Sequence, residues 1–248
     1  MTGLLANDFV LPVFGAGGPD GDLEEICGTA FSIGAGLFMT AGHVLEKVFS
    51  HRVAAIGFPG STGARWHGSS IREKELLGCD IGVFRAEEVP HAPALNWGDG
   101  GSLLLCEGVQ AIGYPYGLDL ELRTVVVRAF QGHIVSERKF ARLAERPRVY
   151  ELSFQGPRGL SGAPLLTTEG EGRVAGVIVG NAITEMEVYS EREELKEPGR
   201  ETVLIKTEAL HLGIAVTANE ILNLRSQLLG GTVREGLKAS SLLRDDRA

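Results

Sequence analysis

An all-β fold, a barrel or a sandwich, is the architecture this sequence predicts, and three observations predict it. Glycine is abundant, at 34 of 248 residues, which favours many tight turns over long helices. Short runs of β-branched and apolar residues recur between turn-forming segments. Strands do not alternate with long helical patterns, which disfavours an α/β arrangement. With 44% hydrophobic and 23% charged residues, the chain has an ordinary globular composition and the length to bury a substantial core.

The elements follow in order. Residues Cys27–Ile33 and Leu37–Thr40 are β-type runs, and Gly34-Ala35-Gly36 between them reads as a hairpin loop. His43 comes next, and Val44–Phe49 can make one or two helical turns. Further strands are expected at Val53–Phe58, Ile81–Phe84, Gly108–Gly113, Thr124–Phe130, Val149–Ser153, Val174–Val179 and Thr202–Ile205. Near the end, Thr217-Ala218-Asn219-Glu220 fits a capping box, and Ile221, Leu224 and Leu228 then share one helical face. That C-terminal α-helix is expected to pack on the barrel and carry no chemistry. Past Gly230 the polar, charged residues read as a loosely held tail. The segment Thr184–Thr202 holds Glu185, Glu187, Glu191, Glu193, Glu194, Glu197 and Glu201 against Arg192, Lys196 and Arg200. It reads as a solvated surface excursion with a short helix over Glu191–Lys196.

Several function classes drop out. A net charge of −8 lacks the clustered cations of a nucleic-acid surface. No run approaches the ~18 apolar residues of a membrane span. Residues Met1–Val13 lack a positive leader followed by an apolar stretch, which points to a cytoplasmic protein. Cys27, Cys79 and Cys106 are odd in number and form no C-x-x-C pair, so neither a disulfide framework nor a zinc site is expected. Metal and organic cofactors are both expected to be absent. Gly15–Gly21 is glycine-rich but is followed by no Lys-Ser/Thr, so it is no phosphate loop. His51, His67, His91 and His133 read as surface or packing histidines, Trp66 and Trp97 as packing, and Asp99 as a turn former.

The chemistry gathers at three places. Gly159-Leu160-Ser161-Gly162-Ala163-Pro164 is a tight turn suited to exposing a hydroxyl. His43, after Thr40-Ala41-Gly42, supplies a base, and Asp80, in Cys79-Asp80-Ile81-Gly82-Val83, supplies an anion. A serine hydroxyl needs a base to take its proton, and the base needs an anion to fix its tautomer. The order His, Asp, Ser is one in which such a triad is assembled. Gly159 lets the backbone turn so that its N–H and that of Ser161 can serve as oxyanion donors.

These stretches resemble a chymotrypsin-fold, trypsin-like serine protease, most like the protease domain of the bacterial HtrA/Deg type. The likeness continues through Gly28-Thr29-Ala30-Phe31, Ala111-Ile112-Gly113-Tyr114-Pro115-Tyr116-Gly117-Leu118, Gly132-His133-Ile134-Val135-Ser136 and Leu212-Gly213-Ile214-Ala215-Val216. It implies two six-stranded antiparallel β-barrels: residues 1–106 carrying His43 and Asp80, and 107–230 carrying Ser161 and the helix, with 231–248 as a flexible tail. It further implies an oxyanion hole at Gly159 and Ser161. Gln155 and Gly156 would line the specificity pocket, and Val179, Gly180 and Asn181 would pair with an extended substrate. Digestive relatives carry Asp before the serine and pair it with a new N-terminus; here that position is Leu160, which excludes such a switch. No PDZ segment follows the protease-like part. Gln155 is neutral, so a small or medium apolar residue is expected in the primary pocket.

The implied partner is a protein or peptide substrate, with a regulatory protein on acidic loop 184–202 as a second hypothesis. Two other readings compete. An α/β-hydrolase with His211 as base is opposed by the absence of G-x-S-x-G and of βα alternation. A non-catalytic or effector-gated scaffold keeping the fold for binding is the other.

Overall fold

The computed structural model describes residues 9–17, 23–59, 66–87, 93–116, 118–119, 124–170, 172–194 and 201–244. Strands β1 (Val10–Ala16), β2 (Leu23–Ser32), β3 (Leu37–Ala41), β4 (Val53–Pro59), β5 (Trp66–Gly78) and β6 (Ile81–Ala86) close a first barrel in the order β1-β2-β3-β6-β5-β4. A second barrel begins with β7 (Gly108–Gly113). A minor pair, β8 (Leu118–Asp119) and β9 (Thr124–Val125), then precedes β10 (Arg128–Lys139), β11 (Arg148–Leu152), β12 (Pro164–Thr167), β13 (Val174–Glu194) and β14 (Glu201–Thr217). The second barrel closes as β10-β11-β14-β13-β12-β7, and every pairing in both barrels is antiparallel. The expected two-barrel fold is therefore the fold of the chain.

The β2–β3 loop shows why small residues stand there. Gly34, Ala35 and Gly36 all take positive φ, at 85°, 52° and 71°, and only glycine adopts that region without penalty. The helix α1 (Gly42–Val48) leaves β3 directly and buries Val44, Leu45 and Val48 against the first barrel. Inside that barrel Phe38 stacks on Phe84 at 5.5 Å and meets Phe58 edge-on at 6.0 Å. The second barrel is filled by Val109, Ala111, Ile134, Tyr150, Leu152, Leu165, Ile178 and Ala215. Between the barrels, the buried Tyr114 hydroxyl donates to the carbonyl of Val10 at 2.9 Å.

The C-terminal region departs from expectation. The helix after β14, α2 (Ala218–Leu222), is only five residues long. Thr217 Oγ1 accepts the Glu220 N–H at 3.4 Å, but the Glu220 carboxylate accepts the Arg148 N–H at 3.2 Å instead of reaching back. Thr217 is still in the ladder opposite Gly176, so that half of the box is not made. Leu224 and Leu228 pack on the core from irregular chain rather than from a helical face. Glu75 pins this stretch, accepting from Ser226 Oγ (2.7 Å) and from the N–H groups of Gln227 (2.9 Å) and Leu228 (3.2 Å). A minor hairpin, β15 (Arg225–Ser226) with β16 (Gly231–Thr232), leads into α3 (Val233–Ala239). The complete capping box lies here, between Thr232 and Glu235.

The expected loose tail is therefore a docked helix through residue 239: Val233 and Leu237 are fully buried. Its polar residues are the outer face of an amphipathic turn. Leu242 O accepts from Trp97 N–H, and Trp97 O from Arg244 N–H, holding the chain to the inter-barrel segment.

The acidic segment is also not helical at Glu191–Glu194; β13 runs through them, and residues 195–200 lie outside the described residues. Pairing with β14 continues to Glu194↔Glu201, whereas β12 and β11 accompany this hairpin only as far as Val174–Val177 and Gly213–Val216. A two-stranded arm thus leaves the barrel. The strand-favouring run Thr202-Val203-Leu204-Ile205 supplies the return strand and holds Ser190–Glu193 extended opposite it.

Burial raises the cost of ionising Glu75, but its donors from Gln227, Ser226 and Leu228 outweigh this and lower its pKa from 4.5. A depressed carboxylate stabilises the fold above its unfolded pKa, and that contribution is lost as pH falls through the folded value. Glu75→Gln should cost roughly 1 kcal/mol near neutrality, allowing for partial exposure, and flatten the acid limb of stability. Denaturant midpoints of both proteins between neutral and acid pH measure this; parallel curves would remove Glu75 from the acid response.

Candidate active site

His43 is the first turn of α1, and its position is set by a neighbouring turn. Gly78, Cys79 and Asp80 at the β5–β6 reversal all have positive φ (95°, 53° and 58°), a conformation that Asp tolerates better than most side chains. This tight turn presents Asp80 three times to the start of α1. The Gly42 N–H donates to Asp80 O at 2.8 Å, and the His43 N–H to Asp80 Oδ1 at 2.8 Å. His43 Nδ1 meets Asp80 Oδ2 at 2.7 Å. Both backbone and ring of His43 are thereby referenced to one carboxylate, leaving Nε2 for other chemistry.

The Ser161 loop reaches the same place from the second barrel. Thr29 on β2 donates its N–H to Ser161 O at 2.9 Å and its Oγ1 to Gly159 O at 2.7 Å. Thr29 Oγ1 also accepts the Tyr114 N–H at 3.0 Å, and Thr29 O accepts Thr40 Oγ1 at 2.6 Å. Thr29 and Thr40 are fully buried, so these bonds are made away from water. Two glycines permit the approach. A Cβ on Gly162, where φ is +86°, would stand 2.1 Å from Thr29 O and 2.2 Å from Thr40 Oγ1. One on Gly28 would stand 2.5 Å from Val44 Cγ2 and 2.8 Å from Ser161 O. Val44, the residue following His43, and the Ser161 carbonyl thus meet in the space that a side chain on Gly28 would fill. Among the described residues the Ser161 hydroxyl makes no hydrogen bond to His43; such contacts often tighten only when substrate is bound.

The backbone donors around Ser161 alternate. Leu160 N–H is taken by Pro157 O at 2.9 Å and Gly162 N–H by Ile178 O at 2.8 Å. The N–H groups of Gly159 and Ser161 have no acceptor among the described residues. Gly159 holds φ at +97°, and a Cβ there would lie 2.5 Å from Tyr114 O. Leu160 is fully buried with Val109, Ala111, Leu165 and Ile178. The loop is therefore anchored by an apolar side chain where digestive relatives place a charge.

The expected specificity residues also come together. Gly156 N–H donates to Asn181 Oδ1 at 2.6 Å, and Asn181 Nδ2 donates back to Gly156 O at 2.8 Å. Asn181 thus ties one wall to the other, while Gln155 beside Gly156 is exposed. Val179 lies at a register shift between Ile178 and Gly180 in the β13–β14 ladder. On the other edge, pairing ends with Ile178 N–H to Ala163 O at 2.9 Å, leaving the 179–181 edge unpaired among the described residues.

A charged link that no sequence motif signalled borders the loop. Glu25 Oε1 holds Lys47 of α1 at 2.6 Å and Arg158, beside Gly159, at 2.5 Å. The Lys47 hydrogen bond lowers the Glu25 pKa against the opposing effect of burial. Burial pushes the Cys27 thiol up and the Cys79 thiol up to about 11, so neither is an activated nucleophile. His91 lies outside the described residues; His51 is not isolated, since it meets Glu24 at 2.8 Å.

Two barrels with a His–Asp pair and a glycine-flanked serine loop at their junction define a protein of the chymotrypsin-fold class. The trypsin-like peptidase domain family matches residues 28–177, more than half of the chain, and the chain belongs to that family. No curated protein sequence matches it significantly. The fold is similar to the Rv3671c protease of M. tuberculosis in its active form, at 18% identity and TM-score 0.57, covering 87% of this chain and 78% of that one. It is similar to the MamO protease domain of Magnetospirillum magneticum at 14% identity and TM-score 0.55, covering 86% and 93%. The HtrA-type protease AlgW, solved with a tripeptide, aligns at 15% identity and TM-score 0.53, covering 86% of this chain and 57% of AlgW. Among the described residues no helix is long and apolar enough to cross a membrane.

Thr29→Val keeps the shape but leaves Gly159 O and Tyr114 N–H buried without their partner. The expected loss is about 2–5 kcal/mol in denaturant-derived stability. A loss below ~0.5 kcal/mol would show that the hydroxyl does not hold the two barrels together.

Proposed function

We propose that the chain is a serine endopeptidase acting through His43, Asp80 and Ser161. The observation carrying this reading is the double attachment of His43, by its N–H and its Nδ1, to one Asp80 carboxylate. With Nδ1–H held by Asp80, Nε2 bears the lone pair that takes the Ser161 proton as Oγ bonds to the substrate carbonyl carbon. The negative oxygen that forms is met by the N–H groups of Gly159 and Ser161, whose freedom from other acceptors suits them to that role. The imidazolium returns its proton to the departing amine as the C–N bond breaks, leaving an acyl-enzyme. Water then attacks the ester carbon, giving its proton to His43, and the acid product leaves as Ser161 regains a hydrogen.

The unpaired edge at Val179, Gly180 and Asn181 would accept an extended peptide as an added strand. Gln155 and Gly156 would border the primary pocket, and the neutral Gln155 favours a small or medium apolar residue there. A cytoplasmic setting is supported by three free thiols, two of them buried; their absence from a cytosolic fraction of native cells would count against it.

An active-site serine phosphonate should label the protein at Ser161, and Ser161→Ala should abolish labelling and nearly all turnover. Asp80→Asn should lower kcat by about 10⁴-fold with the fold intact. Absence of labelling with and without peptide ligands would favour the non-catalytic scaffold. A peptide-library profile should be dominated by apolar residues before the cut; dominance of Lys or Arg would overturn the assigned pocket chemistry.

A further inference from the structure

Past the end of α1, His51 folds back over β1 and β2. The two strands set Gly15 opposite Glu25, and a Cβ on Gly15 would stand 2.2 Å from His51 Cγ. The missing side chain is what admits the imidazole to this face. Below it, Cys27 sits at a bulge of β2, between the pairs Val13↔Gly28 and Phe14↔Ile26, and its Sγ turns back towards Glu25, 3.9 Å from the Glu25 carbonyl. One ligand atom from each of Glu25, Cys27 and His51 lies within 4.8 Å of the other two.

We propose that Glu25, Cys27 and His51 form a binding site for a divalent transition metal, zinc by the chemistry of its donors. Thiolate, imidazole and carboxylate together suit a borderline-soft ion and do not suit magnesium or calcium. The donors are already oriented. His51 Nδ1 lies 2.8 Å from Glu24 Oε2, so Nδ1 carries the proton and Nε2 the lone pair. That arrangement, a carboxylate behind the histidine, is the usual support of a metal-bound imidazole. Nε2 then faces Glu25 Oε2 at 3.8 Å, too far for a hydrogen bond. Two ligands on a tetrahedral zinc, with bonds of ~2.0–2.1 Å, stand roughly 3.4 Å apart, so a small side-chain rotation brings both onto one ion.

The cations nearby do not occupy the inward oxygen. Lys47 and Arg158 both bind Glu25 Oε1, which leaves Oε2 for the ion. Cys27 is buried and His51 mostly so, while Glu25 remains partly open, giving a route of entry and a fourth position for water. On binding, the Cys27 thiol loses its proton to solvent as the metal–sulfur bond forms. The cysteine spacing predicts no zinc site, because the donors come from residues 25, 27 and 51, which no short motif links. The site stands independently of the proposed peptidase activity. It shares Glu25 with Arg158, so the ion and the serine loop draw on one carboxylate.

The full chain, stripped of metal with a chelator and dialysed, should be titrated with Co²⁺. One equivalent should raise a thiolate-to-cobalt charge-transfer band, and Zn²⁺ should displace it. Cys27→Ser should abolish the band, and His51→Ala should weaken binding at least about tenfold. Cys106→Ser should change nothing, since that exposed thiol lies outside the cluster. Arg158→Gln should tighten binding several-fold by removing a competing cation from Glu25. His51→Ala guards against misfolding of the buried Cys27 variant, because its ring is partly exposed. Absence of a band at saturating cobalt, or a band surviving both Cys27→Ser and His51→Ala, would overturn the proposal.

Discussion

Four buried hydrogen bonds at the junction of the barrels converge on Thr29. Its N–H, its carbonyl and both roles of its hydroxyl are engaged, with Ser161, Thr40, Gly159 and Tyr114 respectively. Three of these partners, Tyr114, Gly159 and Ser161, belong to the segment that builds the second barrel and one to β3, which leads into His43. Because Thr29 is fully buried, each bond replaces one that water would have made, and removing any leaves a polar group stranded. The backbone of the serine loop is therefore positioned by the first barrel, not merely near it. Gly28 and Gly162 are the complement of this constraint: the clasp closes because neither carries a side chain.

The loop also answers how the Ser161 turn is held without a buried ion pair at position 160. Leu160 drives into the second barrel's core, so apolar packing does from below what Thr29 does from the side. Arg158 adds a third tether on the outer surface through Glu25, which reaches Lys47 on the same helix that carries His43 in its first turn. The first two are buried and insensitive to salt; the third is partly exposed and screened. Loop order is thus set chiefly by packing and neutral hydrogen bonds.

Much of this was legible in the residues, and the exceptions share a cause. Gly34-Ala35-Gly36 and Gly108–Gly113 could be read because turn chemistry and alternation are local properties. β1 is not evident in the sequence, since Pro12 and Gly15 break its pattern, and one of its edges is paired only by β4, as at Val13↔Ile56. β5 was hidden by Arg72-Glu73-Lys74-Glu75, four charged residues in a row that erase the apolar alternation of a half-buried strand. The sequence suggests a capping box at Thr217, but the complete one is at Thr232, because the ladder claims the first site. At the candidate site the three chemical residues were evident from type and order. Thr29, Tyr114, Glu25 and Arg158 were not, because their roles exist only after residues more than eighty positions apart have met.

The arm formed by β13 and β14 has a bearing on how copies of this protein coexist. Beyond the barrel each strand presents an outer row of backbone donors and acceptors that no other described strand covers. Such a ribbon is a template onto which a neighbouring molecule could lay its own, growing sheet from sheet. The sequence places Glu185, Glu187, Glu191, Glu193, Glu194, Glu201 and Glu208 along it. Two such ribbons would each bring this excess of acidic residues to a shared edge, and like charge on neighbouring strands opposes pairing. The acidity of the arm thus works against edge-to-edge association of an otherwise open ribbon.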